Sequence, residues 1–227
     1  MPDPNSVKPS IDNARARIRR ASDHILNLQQ VTASIHLDKD AAIVASENAA
    51  GQYVTIGHIR VPPLIAILIG EAVYNLRAAL DYLVYELSIL DSGKAAERTQ
   101  FPLESCDKGW AKRETGWLCG VSDHHKASIK LLQPFNNVIW TTTLRELSNP
   151  DKHRHLTVAS QGTKVTVSGS GSLKVYANRV TITEPVEVEY QSAATILFQD
   201  GSLVIETLNE LQSQVAQVID TFEPDFA

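Results

Sequence analysis

Only two cysteines, Cys106 and Cys119, occur in the 227 residues, and they stand far apart for a metal knuckle. This excludes a disulfide framework and zinc-knuckle spacing, and predicts a reduced pair. The sequence contains no phosphate-cradling glycine loop, no nucleophile elbow and no dinucleotide glycine fingerprint, so nothing in it calls for a cofactor. Long hydrophobic runs are missing too. The longest, "VPPLIAILIG" at Val61–Gly70, is about half of the ~20 residues a membrane helix needs. Positive charge is also in short supply. The net charge of −5 argues against a broad DNA-binding surface while leaving room for a local basic pocket. The opening "MPDPNSVKPS" lacks the apolar run of a signal peptide and any lipidation motif. These absences together predict a cytoplasmic protein with no membrane partner and a disordered tail over residues 1–9.

What is present is an ordinary globular composition, 43% hydrophobic and 21% charged. Ile11, Ala14, Ile18, Ala21, Ile25 and Leu28 recur every three or four residues, which predicts an amphipathic helix running to about Ile35. Arg15, Arg17, Arg19 and Arg20 lie mainly off that stripe. "AAIVASENAAGQYVTIGHI" predicts a β-hairpin near 41–59. A long helix is expected from Pro62-Pro63, residues suited to a first turn, to about Leu90, with "DSGK" as its stop. Gly70 inside it suggests close packing of another backbone, since an interior Gly costs about 1 kcal/mol relative to Ala. Residues 97–147 read as a loop and shorter helices. After "SNPDKHRHL" the pattern alternates through "TKVTV", "SLKVYA", "VTIT", "VEVEY" and "TILF", which predicts an antiparallel meander. A closing helix follows, its stripe being Ile205, Leu208, Leu211, Val215, Val218 and Phe222. The expected fold class is α+β: a mainly helical bundle over residues 10–153 carrying the hairpin, then a sheet and C-terminal helix over 154–227 packed on the same core.

The long helix resolves into two faces at 100° per residue. Val73, Leu76, Leu80, Leu83, Val84 and Leu87 share one side; Glu71, Tyr74, Asn75, Arg77, Asp81, Tyr82 and Tyr85 share the other. Such a polar face is either wiring that holds a neighbouring element in register or a recognition surface, since Tyr and Arg are enriched where partners bind. A second polar cluster, Asn149 to His155, sets Lys152 and Arg154 beside His153. Two cations flanking an imidazole suit an anion or phosphate, and Lys152 or Arg154 would alternatively pair with Glu71 or Asp81. Asp123-His124-His125 and His153/His155 offer metal-ligand chemistry but lack helical i,i+4 spacing, so no metal site is expected.

"GEAVYNLRAALDYLVYEL", then "LQPF", then "LRELSNPDKHR" together resemble a bacterial protein family with an N-L-R-x-A-L-D helix motif and an N-x-D-K-H-R motif. The resemblance spans residues 60–155 and brings no assigned activity. The helix motif also resembles the Arg–His signature of HEPN domains, helical bundles that are often dimeric and that in many cases cut RNA without metal. Arg77 matches the Arg position, but Tyr82 stands where the His belongs, and a phenol is a poor proton acceptor at neutral pH. The resemblance implies a HEPN-like core, with RNA or a nucleotide as ligand and a homodimer as assembly.

Three functional expectations result. The favoured one is a binding or interaction module with degenerate nuclease chemistry. The second is a dimeric ribonuclease using Arg77, Asp81 and His153 as catalytic residues, with Glu71, Asn75, Tyr82, Lys152 and Arg154 lining the site. The third is a small-molecule enzyme with a pocket between bundle and sheet, lined by Tyr82 and Tyr85.

Overall fold

The computed structural model describes residues 8–35, 43–48, 51–56, 61–148, 157–168, 173–176, 179–182 and 187–227. The helices begin with α1 (Asp12–Ala33), whose first turn is closed by Ser10 Oγ accepting the Asp12 N–H at 3.1 Å. All six residues of its expected stripe, Ile11 to Leu28, are buried. The Ser10 N–H donates to Glu86 Oε2 at 3.0 Å, which ties the start of α1 to α2 (Pro63–Ser92). Pro63 opens α2 where a missing N–H costs nothing. Gly93, at φ 72°, closes it by donating its N–H to the Ile89 carbonyl at 2.8 Å. That left-handed turn is the physical content of the "DSGK" stop.

Three shorter helices follow: α3 (Asp107–Trp117), α4 (Asp123–Leu131) and α5 (Ile139–Leu147). Ser122 caps α4 by accepting the His125 N–H. Between α4 and α5, Pro134–Asn136 form a 3-10 turn that ends on left-handed Asn137. The last helix, α6 (Val204–Phe222), runs into a 3-10 turn at Glu223–Phe226. Its Leu208, Leu211, Val215, Val218 and Phe222 are buried, together with Val204 and Ile219, while Ile205 is only half-buried.

The chain divides into two compact units. The first comprises Met1–Leu28, Ala66–His155 and Ile205–Ala227, and the regular secondary structure among its described residues is all helical. Its core is the apolar side of α2 (Val73, Leu76, Leu80, Leu83, Val84 and Leu87, none above 2% exposed), with buried residues from the other helices around it. Each such side chain withdrawn from water contributes about 1.5–3 kcal/mol. By length and composition alone α2 also meets the requirement for a membrane span, although half of its most apolar window is buried. The second unit comprises Gln29–Ile65 and Leu156–Val204.

This architecture corrects the expected α+β fold class. Among the described residues six α-helices make the fold, and where side chains are described the one extended stretch is 195–197, closed on Leu203 by an isolated bridge. Neither the hairpin expected near 41–59 nor the meander expected after 154 supplies a common sheet. Among the described residues extended backbone pairs two segments at a time: Ile43–Asn48 with Gly51–Ile56, Thr157–Ser168 with Glu187–Leu197, and Leu173–Tyr176 with Arg179–Ile182. In a meander Thr157–Ser168 pairs with the next strand; here its partner is the last, with a register shift between Gln161 and Thr163. Alternation specifies extended backbone, but partner and register depend on distant residues that a local pattern does not contain. Gly70 is a second correction: a Cβ there meets no atom within 4 Å among the described residues, so none of their backbone packs closely against it.

Candidate functional site

The polar face of α2 turns out to be wired to two neighbours. Arg77 and Asp81, one helical turn apart, form an ion pair at 3.3 Å. Both also hold one residue of the loop between α2 and α3. Asp81 Oδ1 accepts the Phe101 N–H at 2.8 Å, and Arg77 Nη2 donates to the Phe101 carbonyl. The Phe101 ring itself is fully buried. The pair therefore grips both faces of one residue's backbone and fixes where the loop leaves the helix. Farther along, Glu104 accepts from Arg113 Nε at 3.1 Å, while the Glu104 N–H donates to buried Gln133 at 3.0 Å.

Burial acts on both members of the pair. It pushes the Asp81 carboxyl up from the ordinary range, against the opposing pull of Arg77 and the Phe101 N–H. Burial also lowers the Arg77 guanidinium, while Asp81 and Glu104 hold it up. Arg77 Nη1 is buried without a hydrogen-bond partner among the described residues. Asp81 Oδ1 is committed to an amide and a guanidinium, which is the chemistry of a tether.

The second neighbour is α1. Asn75, 3% exposed, donates to the Glu71 carbonyl at 2.8 Å and accepts from Arg17 Nη1 at 3.3 Å. The Arg17 guanidinium lies 5.4 Å from the centre of the Tyr82 ring, a cation–π distance. Hydrogen bonding to Tyr82 raises the Arg17 pKa further. Thus Tyr82, at the position where the motif has His, supports an arginine from another helix. On the outer rim of this face Glu71 is exposed, as are Tyr74 at 61% and Ile67 at 58%.

The structure thus brings Glu71, Asn75, Arg77, Asp81 and Tyr82 onto one face, divided between the Phe101 tether and the Arg17 contact. Lys152, His153 and Arg154 lie outside the described residues. Sequence reasoning missed Arg17 as a partner of this face; its position off the α1 apolar stripe was the available signal. It also missed the surroundings of His125, whose ring nitrogens face Asp91 at 2.7 Å and Asp225 at 3.4 Å. Those partners are 34 and 100 residues away in sequence, beyond the reach of any local motif. Among the described residues no group of His, Cys, Asp and Glu is arranged to hold a metal ion. Comparison with family models, with curated proteins and with solved structures yields no match.

Proposed function

We propose that the chain is a non-catalytic binding module, HEPN-like in its motif, whose recognition surface is the α1–α2 face. The observation that supports this is the use of Arg77 and Asp81: both hold the Phe101 backbone, so the motif's polar residues serve the fold. What remains available on the same face is Tyr74, exposed at 61%, beside Arg17 and Glu71. An exposed aromatic ring next to a guanidinium is a stacking platform of the kind single-stranded nucleic acids use, with about 1–3 kcal/mol per stacked base. RNA is accordingly the first ligand to test.

The test incubates the purified chain with structured and unstructured RNA at low salt and follows both cleavage and fluorescence anisotropy. Expected are binding without strand scission, weakening of binding by Tyr74→Ala and Arg17→Ala, and a lower melting temperature for Arg77→Ala. Cleavage that Arg77→Ala abolishes at unchanged melting temperature overturns the proposal in favour of the ribonuclease. Absence of RNA binding at low salt removes RNA as the ligand.

A further inference from the structure

His125, 6% exposed, is held between two carboxylates from different parts of the helical unit. Nδ1 lies 2.7 Å from Oδ2 of Asp91, in the last turn of α2, and 3.1 Å from Ser122 Oγ. The same Asp91 oxygen accepts the Ser122 N–H at 2.7 Å. Nε2 lies 3.4 Å from Oδ2 of Asp225, in the Glu223–Phe226 turn. The rings of His124 and Phe222, with centres at 5.5 and 5.7 Å, complete the surroundings. Two acids, one hydroxyl and one further imidazole thus face His125 from α2, α4 and the turn, with Phe222 of α6 as the apolar wall.

A neutral imidazole has one N–H, a charged one has two. The shorter contact fixes the neutral tautomer: Nδ1–H donates to Asp91, and the Nε2 lone pair is left pointing at the Asp225 carboxylate. Only the doubly protonated ring donates to both acids. We propose that His125 is a proton-controlled latch on the Glu223–Phe226 turn, which it holds through Asp225 when charged and releases when neutral. The turn also borders a groove of about 490 Å³, with Lys8–Asp12 on one side and Glu223, Phe226 and Ala227 on the other. Arg15 anchors the beginning of the turn by bridging Asp220 and Glu223, each at 2.8 Å. Release at Asp225 therefore frees the far half of the turn, moves Phe226 and reshapes the groove while Glu223 stays tied. The sign follows from the tautomer: the latch is closed at acidic pH and opens as pH rises and the ring loses its second proton.

Hydrogen exchange of the full chain, corrected for intrinsic rates, tests this at about pH 5.5 and about pH 8.5, on either side of the range in which imidazoles exchange protons. Wild-type amides at 225–227 are expected to lose protection by about tenfold at the higher pH, the scale of one charged hydrogen bond, while the 223 amide is unchanged. Asp225→Asn keeps protection at both values, because its amide donates to the neutral Nε2 and its carbonyl accepts from the charged ring. Asp225→Ala, at a site 44% exposed and so tolerant of change, loses protection at both. Wild-type protection that does not vary with pH overturns the latch, and so does a pH dependence that survives in Asp225→Asn.

Discussion

Asp81 is the residue at which structure and charge pull in different directions. Its oxygen holds Phe101, yet burial raises its pKa above the ordinary value of 3.8. Below that value both folded and unfolded chains carry the proton and the group is neutral in the balance. As pH rises, the unfolded chain ionises first, so Asp81's contribution to stability is lost progressively until the raised folded pKa is passed. Asp81→Asn keeps an acceptor for the Phe101 N–H and does not titrate. In urea denaturation across this acidic window, wild type is expected to gain stability relative to Asp81→Asn as pH falls. A stability difference that stays flat with pH, or runs the other way, contradicts the role assigned to burial. Truncating Arg77 is harsher: Arg77→Ala strands a partly buried carboxylate, and losses of about 1–3 kcal/mol accompany such unpaired groups.

At the level of the element, the glycine inside α2 and the one that ends it make opposite demands. Gly93 terminates the helix at φ 72°, and a Cβ there meets nothing within 4 Å. The cost of Gly93→Ala is therefore conformational alone, about 1–2 kcal/mol. Gly70 sits inside the helix, also with open space at the Cβ position. Gly70→Ala is expected to stabilise by about 0.5–1 kcal/mol. Thermal unfolding of the two variants checks both signs, and equal shifts in one direction defeat the argument. The helices themselves were legible in the sequence because their evidence is local. Ile11 to Leu28 and Val73 to Leu87 show the period that their burial confirms. The sheet was misread because "VTIT" and "VEVEY" show extended backbone without showing a partner. The site was half legible: the α2 face is a local pattern, whereas Phe101 and Arg17 reach it from 20 and 58 residues away.

Across the whole molecule, the helical unit is organised on one element. Leu76, Leu80, Leu83 and Leu87 of α2 are each fully withdrawn from solvent, while the opposite face carries the Phe101 tether and the Arg17 contact. A single helix thus supplies both the apolar centre and the polar fixings, which couples the recognition surface proposed at Tyr74 to the integrity of the core behind it. Trp110, Trp117 and Trp140 all belong to this unit, so tryptophan fluorescence reports on it alone. Leu80→Ala removes buried atoms at a position with no exposed surface, and cavities of this kind cost about 2–5 kcal/mol. The fluorescence transition in urea is expected to move to lower denaturant by that energy divided by its slope, with the slope unchanged because the surface exposed on unfolding is the same. A Leu80→Ala variant with an unshifted fluorescence midpoint contradicts the placement of α2 at the centre of the unit.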